Sequence, residues 1–550
     1  MVIHKRTMAF LKSGLTTLLF TFILTALDGQ ARPKIVVGIT IDQMKQEYIH
    51  RFWDRYSEGG FKKLVREGHS YVDAHYSYKP TFTAPGHASI FTGTTPAVHG
   101  IIGNNWYDKK TKKSVYCTSD DEMSSVGTNS PAGKMSPRRM LASTISDEMR
   151  LFSNMRSKSL GISLKDRGAI LPAGHAANAA YWFDGATGKW VTSTYYMEEL
   201  PSWLVDFNAR GLTREFLSKN WETLYPVDSY VNSLADNNPF EAIYKSEDTP
   251  TFPHDLLSIL SREGFSLLAK TPFGNTSTKE LAIAAIIGEE LGVDDDTDML
   301  SISFSSTDYI GHQFGPRSIE LEDTYLRLDK DLEELINFLN EYLGEDSYLL
   351  FLTADHGAAE TPLYLQNFEI PAGYFHIEGY KNGLKNYVDS IYGKGRWIEN
   401  MSNDQLFINK EYIAEQGVNE EDIIEALMDY TLRFDGISNV VASTDLMHGN
   451  YENNRSLWMT QRGYHQKRSG DIHINMEPGW MIYQRKGTTH GSSYTYDTHV
   501  PIIMYGSTIT PGKTYRRAHV IDIATTVSAI LNVNLPNGAS GTVLHEAILK

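Results

Sequence analysis

The chain has 550 residues, 41% hydrophobic and 21% charged, with a formal net charge of -16. That composition is ordinary for a globular protein, and the length allows several domains or one large α/β domain with insertions. The acidic balance excludes a global electrostatic attraction to nucleic acid, so positive charge that holds an anionic substrate must be local. The single cysteine, Cys117, excludes intramolecular disulfides and cysteine-based metal clusters. A metal site must therefore be built from His, Asp and Glu, and Cys117 itself reads as a packing or surface residue.

The chain opens with a basic stretch (His4, Lys5, Arg6, Lys12) and an apolar run, Leu15 to Ala26, too short to span a bilayer comfortably. Small residues, Gly29 and Ala31, precede Arg32. Residues 1–31 thus read as an export signal, the rest as a protein that is soluble, periplasmic or secreted, with no stable membrane insertion once the signal is removed. No other run approaches the length of a membrane span.

Lys34 to Asp42 (KIVVGITID) is an apolar run ending in a carboxylate. Next comes KPTFTAPGHASIFTG, Lys79 to Gly93. Pro85 suits the first turn of a helix, which puts Thr83 at or next to the N-cap, facing unpaired N–H groups and a partial positive charge. As a cap alone, threonine there would be unremarked. Lys165 and Arg167 follow in SLKDRGAILPAGH; if 160–167 is a strand, both point to one face and Asp166 to the other.

Residues 170–290 carry aromatics early on (Tyr181, Trp182, Trp190, Tyr195, Tyr196, Trp203), which read more readily as core than as substrate platform. Met299 to Asp308 (MLSISFSSTD) and Tyr348 to Asp355 (YLLFLTAD) repeat the design of an apolar run closed by Asp. Between them Leu328, Leu332, Leu335, Ile336 and Leu339 predict a helix over 321–343. Continuous apolar strands with a helix between predict a mostly parallel α/β sheet flanked by helices. Residues 365–480 mix helical and loop signals, and 471–484 reads as a hairpin turning at Glu477-Pro478-Gly479.

Three acidic residues then fall at the ends of predicted strands, where open α/β sheets bind ligands. Asp308 and His312 lie four apart, Asp355 and His356 are adjacent, and His490 lies in TTHGSSYTYDTHVP. No single pair is strong evidence. Together they are the ligand types zinc takes without cysteine, and three protein ligands with an open position mark a catalytic site. Asp308, His312 and His490 make one such set. Asp42, Asp355 and His356, with a hydroxyl as fourth ligand, make the other. Two metals so placed clamp the attacking and leaving oxygens of an in-line displacement.

TFTAPGHASIFTG, preceded by Asp42 and followed by TDYIGH, TADHG and TTHG, resembles the alkaline phosphatase superfamily, in its phosphodiesterase/nucleotide pyrophosphatase-like branch. The pattern resembles more closely still the bacterial phosphate-insensitive alkaline phosphatases of PafA type. GNNWYDK, SVYCTSD, TSTYY, TPFGNT and STDYIGH extend the likeness from about Arg32 to the C-terminus. The resemblance implies one catalytic domain over 32–550 with insertions near 170–290 and 365–480. It implies Thr83 as a nucleophile that becomes phosphorylated, with Asn104, Lys165 and Arg167 binding the phosphoryl oxygens. Two Zn²⁺ per chain are implied, one on Asp42, Thr83, Asp355 and His356, the other on Asp308, His312 and His490. His87 and His499 lie near matched motifs but are not implied as ligands.

Charge supports the assignment. Asp42, Asp308, Asp355 and a Thr83 alkoxide would balance two zinc ions, leaving Lys165 and Arg167 to meet the dianion of a small-molecule phosphate monoester. A phosphodiesterase of the same fold would lack the Lys-x-Arg pair. A sulfatase would need Cys or Ser in a C/S-x-P-x-R context at the nucleophile. A protein using metals for structure alone would not need the hydroxyl.

Overall fold

The computed structural model describes residues 32–548; the expected export signal, 1–31, lies outside them. The first apolar run forms the strand Ile35–Ile41, buried throughout. It pairs in parallel with Asp298–Phe304 on one side and Tyr348–Thr353 on the other. Ser159–Ser163 and Ala179–Asp184 continue the parallel set. These five strands are covered on both faces, which is why their sequences lack the polar alternation of a half-exposed strand. Antiparallel strands flank them: Ile502–Gly506 beside Tyr348–Thr353, and Lys189–Ser193 beside Ala179–Asp184. Three short strands bring the sheet to ten.

The expected helix runs from Ile319 to Leu343, and the Ser318 hydroxyl caps it by accepting from the Leu321 N–H. Its five predicted apolar positions are all buried. The strands it joins are not neighbours, however, because Ile35–Ile41 lies between them. The crossover therefore skips one strand.

Of the stretch 170–290, Ala179–Asp184 and Lys189–Ser193 extend the central sheet, and Tyr181, Trp182 and Trp190 are buried core. The stretch 365–480 builds a separate four-stranded sheet from Ile398–Ser402, Gln405–Ile408, Ile472–Met476 and Ile437–Ala442. That sheet has its own core, which includes Tyr380, Trp397, Leu427 and Ile474. The hairpin expected over 471–484 does not form. The chain does turn at Glu477, whose carbonyl accepts from the Trp480 N–H. But Ile472–Met476 stays in the four-stranded sheet while Trp480–Met481 pairs with Gly373–Tyr374. The turn signal was local, and the pairing was decided by more distant partners. Cys117 is buried with Ala84, Ala88 and Trp106, a packing residue.

Candidate active site

The carboxyl ends of the parallel strands converge on one place, the usual ligand edge of such a sheet. Asp42 follows the first strand directly, and Asp355 and His356 follow Tyr348–Thr353. Asp308 differs from expectation. Its strand stops at Phe304, and Asp308 lies in the first turn of the helix Ser306–Phe314. That helix puts His312 one turn further along the same face, with Nε2 3.2 Å from Asp308 Oδ1. His490 arrives from the loop before Thr495–Thr498 and brings Nε2 to 3.6 Å from the same oxygen.

Two clusters result, Asp42/Asp355/His356 and Asp308/His312/His490, each with ligand atoms within 4.8 Å of one another. In the first, Asp42 Oδ1, Asp355 Oδ2 and His356 Nε2 are buried with no hydrogen-bond partner among the described residues. His356 Nε2 lies 3.5 Å and 3.4 Å from those two oxygens. Unpaired buried polar atoms are costly, and three converging on one point suit a cation.

All three imidazoles are oriented in the same way. His312 donates from Nδ1 to the Thr488 carbonyl at 2.7 Å, His490 to that of Thr81 at 2.7 Å, and His356 to that of Gly357 at 2.9 Å. A carbonyl can only accept, so Nδ1 carries a proton and Nε2 is left facing the cluster, the orientation that metal-binding histidines adopt. For His312 burial disfavours the charge, but Asp308 outweighs it and raises the pKa. Burial pulls His490 well below its ordinary pKa, with His356 and His312 adding to the effect, and takes His356 down to about 3. Both are therefore neutral, the ligand form. Burial pushes the Asp355 carboxyl well up, and neighbouring Asp42 pushes it further. For Asp308 burial is outweighed by His312 and Lys165, which hold it well below the usual range.

Thr83 is the first residue of the helix Thr83–Thr92, following Phe82, and is buried. Its helix lies tight against the first cluster: a Cβ at Gly86 would come within 2.4 Å of the Asp355 carbonyl oxygen. His87 ties the two together, donating from Nδ1 to the Thr83 carbonyl at 2.9 Å with Asp355 Oδ2 3.5 Å away. Its Nε2 accepts from Ser303, so it is a structural neighbour and not part of the cluster. The first turn offers fewer free donors than expected, because the Ala84 N–H goes to Asn104 Oδ1 at 2.9 Å and Pro85 has none. That bond fixes the Asn104 amide and leaves Nδ2 as the outward donor.

Lys165 and Arg167 do not alternate on a strand. The strand ends at Ser163, Lys165 is the N-cap of the helix Asp166–Ala173, and Arg167 lies in its first turn. Lys165 Nζ sits 2.5 Å from both Asp42 Oδ2 and Asp308 Oδ2, joining the clusters. Burial disfavours its charge, but Asp308 and Asp42 outweigh it and raise the pKa. Arg167 Nη1 donates to Tyr116 Oη at 3.0 Å, and its Nε is buried without a partner. Tyr116 in turn donates to Asp166 at 2.6 Å, so Asp166 serves to hold the arginine's partner.

Two neighbours were not legible beforehand. Gln43, at φ 67°, donates from Nε2 to Asp308 Oδ1 at 2.7 Å and from its backbone N–H to Asp355 Oδ1 at 3.1 Å, linking the clusters. Tyr309 places its ring 5.0 Å from Lys165 Nζ. Only adjacency to Asp42 and Asp308 could have pointed to them. A third group, Asp73, His75 and His499, also converges. Its atoms are already engaged: Asp73 with Arg517 at 2.8 Å, His75 with Asp73 and Thr498, and His499 Nε2 with the Val72 carbonyl. It reads as a structural tie.

A parallel sheet whose carboxyl edge carries paired Asp/His clusters beside a helix that begins with threonine is the architecture of the alkaline phosphatase superfamily. Residues 36–501 match the family model for type I phosphodiesterase / nucleotide pyrophosphatase. Similar proteins include a Myroides odoratus protein described as a calcium-transporting ATPase, 44% identical over 96% of this chain and 97% of its own. Alkaline phosphatase PhoV of Synechococcus elongatus is 43% identical, over 94% and 93%. The crystal structure of wild-type alkaline phosphatase PafA matches with a TM-score of 0.91 at 42% identity, covering 94% of this chain and 99% of that one. The chain belongs to the type I phosphodiesterase / nucleotide pyrophosphatase family, close to its PafA-type alkaline phosphatases, and is a phosphatase that hydrolyses phosphate monoesters.

Proposed function

We propose that this phosphatase works as a two-zinc enzyme through a phosphothreonine at Thr83. The observation that carries the reading is the set of three imidazoles whose Nδ1 atoms are pinned to backbone carbonyls, so that every Nε2 faces one of two carboxylate clusters beside Thr83. Asp42, Asp355, His356 and Thr83 would hold one ion and Asp308, His312 and His490 the other. The donor set, nitrogen and carboxylate with no sulfur, suits zinc. Zinc bound there would supply Lewis acidity at both the attacking and the leaving oxygen.

The chain's own residues do the rest. Thr83 gives up its hydroxyl proton and attacks phosphorus, the ester P–O bond breaks and the alcohol leaves with a proton. Water then cleaves the phosphothreonine, restoring the hydroxyl and releasing inorganic phosphate. Asn104 donates from Nδ2 to a non-bridging oxygen, while its own carbonyl is held by Ala84. Lys165 and Arg167 meet the remaining charge in a buried site, where preorganised donors act strongly. Two cations suit a monoester dianion better than a diester, and this pair supports monoester preference over the phosphodiesterase reading. Sulfate-ester chemistry is disfavoured by Thr83 itself.

We infer a single catalytic unit over 32–550 that carries insertions near 170–290 and 365–480, exported by its N-terminal 31 residues. Among the described residues no helix is long and apolar enough to cross a membrane. Small-molecule monoesters are the proposed substrates. The deciding experiment measures kcat/KM for an aryl phosphate monoester and the matching diester with zinc supplied, alongside zinc content by elemental analysis. A clear monoester preference with two zinc ions per chain is expected; a diester preference, or one metal ion, overturns the reading.

A further inference from the structure

A cavity of about 160 Å³ is lined by His490 together with residues of the core and of the 365–480 insertion. Phe82, Gly491 and Tyr494 line it from the core, and Met476, Trp480 and Ile482 from the insertion side. Thr83, Asn104, Lys165 and Arg167 are not in its wall. The aromatic wall is rigid. The Trp480 ring is clamped between two glycines: a Cβ at Gly436 would lie 2.1 Å from its Cε3, and one at Gly373 2.8 Å from its Cη2. Deeper in, Lys79 is buried with Nζ donating to the Ile474 carbonyl and to Asn475 Oδ1, so its charge is already engaged.

We propose that this cavity seats the leaving group, and that the enzyme favours monoesters whose alcohol carries a flat aromatic ring close to the ester oxygen. The inference rests on Thr83 as the nucleophile. In an in-line displacement the leaving oxygen stands opposite the attacking one. Thr83 belongs with the Asp42 cluster in that reading, so the alcohol faces the Asp308/His312/His490 cluster, and of these three residues it is His490 that lines the cavity. The volume is small beside the roughly 300–1,000 Å³ of drug-sized pockets, which suits one ring. The walls are mixed: Phe82, Trp480 and Ile482 supply aromatic and apolar surface with ring edges and faces for stacking, while Ser492, Ser493 and Asp497 add polar groups.

The test uses the full-length zinc-loaded enzyme with benzyl phosphate and ethyl phosphate, whose alcohols have similar basicity, so the chemical step is matched. Wild type is expected to favour the benzyl ester in kcat/KM by about 10-fold or more, as burial of one ring allows. Trp480→Ala should remove most of that advantage and leave ethyl phosphate within about 2-fold. Because Trp480 is packed, Ile482→Asp is the second variant: Ile482 is 38% exposed, so the fold should survive, and a charge at the rim should disfavour the ring in the same way. Binding of benzylphosphonate and ethylphosphonate, which are not turned over, is measured by calorimetry and should show the same contrast. Equal kcat/KM for the two esters in wild type, or equal slowing of both by the variants with zinc content intact, overturns the proposal. Failure of the underlying reading looks different: Thr83→Ala would then retain turnover of both esters.

Discussion

His490 donates from Nδ1 to the carbonyl oxygen of Thr81 at 2.7 Å, across 409 positions of sequence. The bond ties the segment that leads into Thr83 to a residue of the Asp308/His312/His490 cluster. The Thr81 hydroxyl turns the other way, to the Ser492 carbonyl at 3.0 Å. One threonine thus orients His490 and the other, two residues on, is left at the helix start.

His490→Ala should therefore empty or weaken the Asp308/His312 site and leave the Asp42/Asp355/His356 site filled. Zinc per chain, measured after dialysis against a graded chelator, should fall from two towards one. Equal loss of both ions would show that the sites are not separable.

Thr83→Ala should abolish the phosphoenzyme without unfolding the chain. The Thr83 side chain caps nothing in the structure, since the N-cap position is Phe82 and no side-chain cap bond is made there, and even a lost cap costs only about 0.5–2 kcal/mol. Acid-quenched wild type should carry phosphate on Thr83 by mass spectrometry. Phosphate on Thr81, whose hydroxyl is bound to the Ser492 carbonyl, would reassign the nucleophile.

Lys165→Ala together with Arg167→Ala should lower monoester kcat/KM far more than diester kcat/KM. Loss of one well-placed donor in such a site costs about 10²–10³ in rate, and a diester puts a bulky group where one charged oxygen would be. Zinc content is the control, because Lys165 bridges Asp42 and Asp308. If both substrates slow equally with metal intact, the pair serves positioning and not monoester preference.

Asp42 and Asp355 were legible because a strand covered on both faces writes itself as an apolar run, and the Asp that follows marks its end. The i,i+4 spacing of Asp308 and His312 needed only a helical turn, which the structure provides. The Lys165–Arg167 geometry was not legible: the strand expected to reach 167 stops at Ser163, and a helix begins where alternation was expected. Gln43 and Tyr116 escaped for another reason. Their roles depend on partners 265 and 50 residues away, and no local pattern records that. The hairpin at 477–479 failed likewise, its two arms recruited by different sheets.

Stability should fall at alkaline pH through His254, remote from the catalytic clusters. His254 is fully buried, with Nδ1 3.0 Å from Glu247 and Nε2 3.4 Å from Glu320. Burial disfavours its charge, but the two carboxylates outweigh that and raise its pKa to about 9. A pKa raised above the unfolded value of about 6.5 gives stability that is complete below pH 6.5 and is lost as pH rises through 9. Linkage sets the scale at about 3 kcal/mol at most. Nearby Glu241, pushed up to about 10 by burial and by Glu320, stays protonated in the fold while the unfolded carboxyl is ionised, so it adds a loss of the same sign that accumulates until about pH 10. His254→Gln should be less stable than wild type at pH 6 and lose less between pH 6.5 and 9.5. Urea unfolding midpoints at matched zinc content measure this. Parallel curves for the two proteins would mean that His254 does not carry the buried charge.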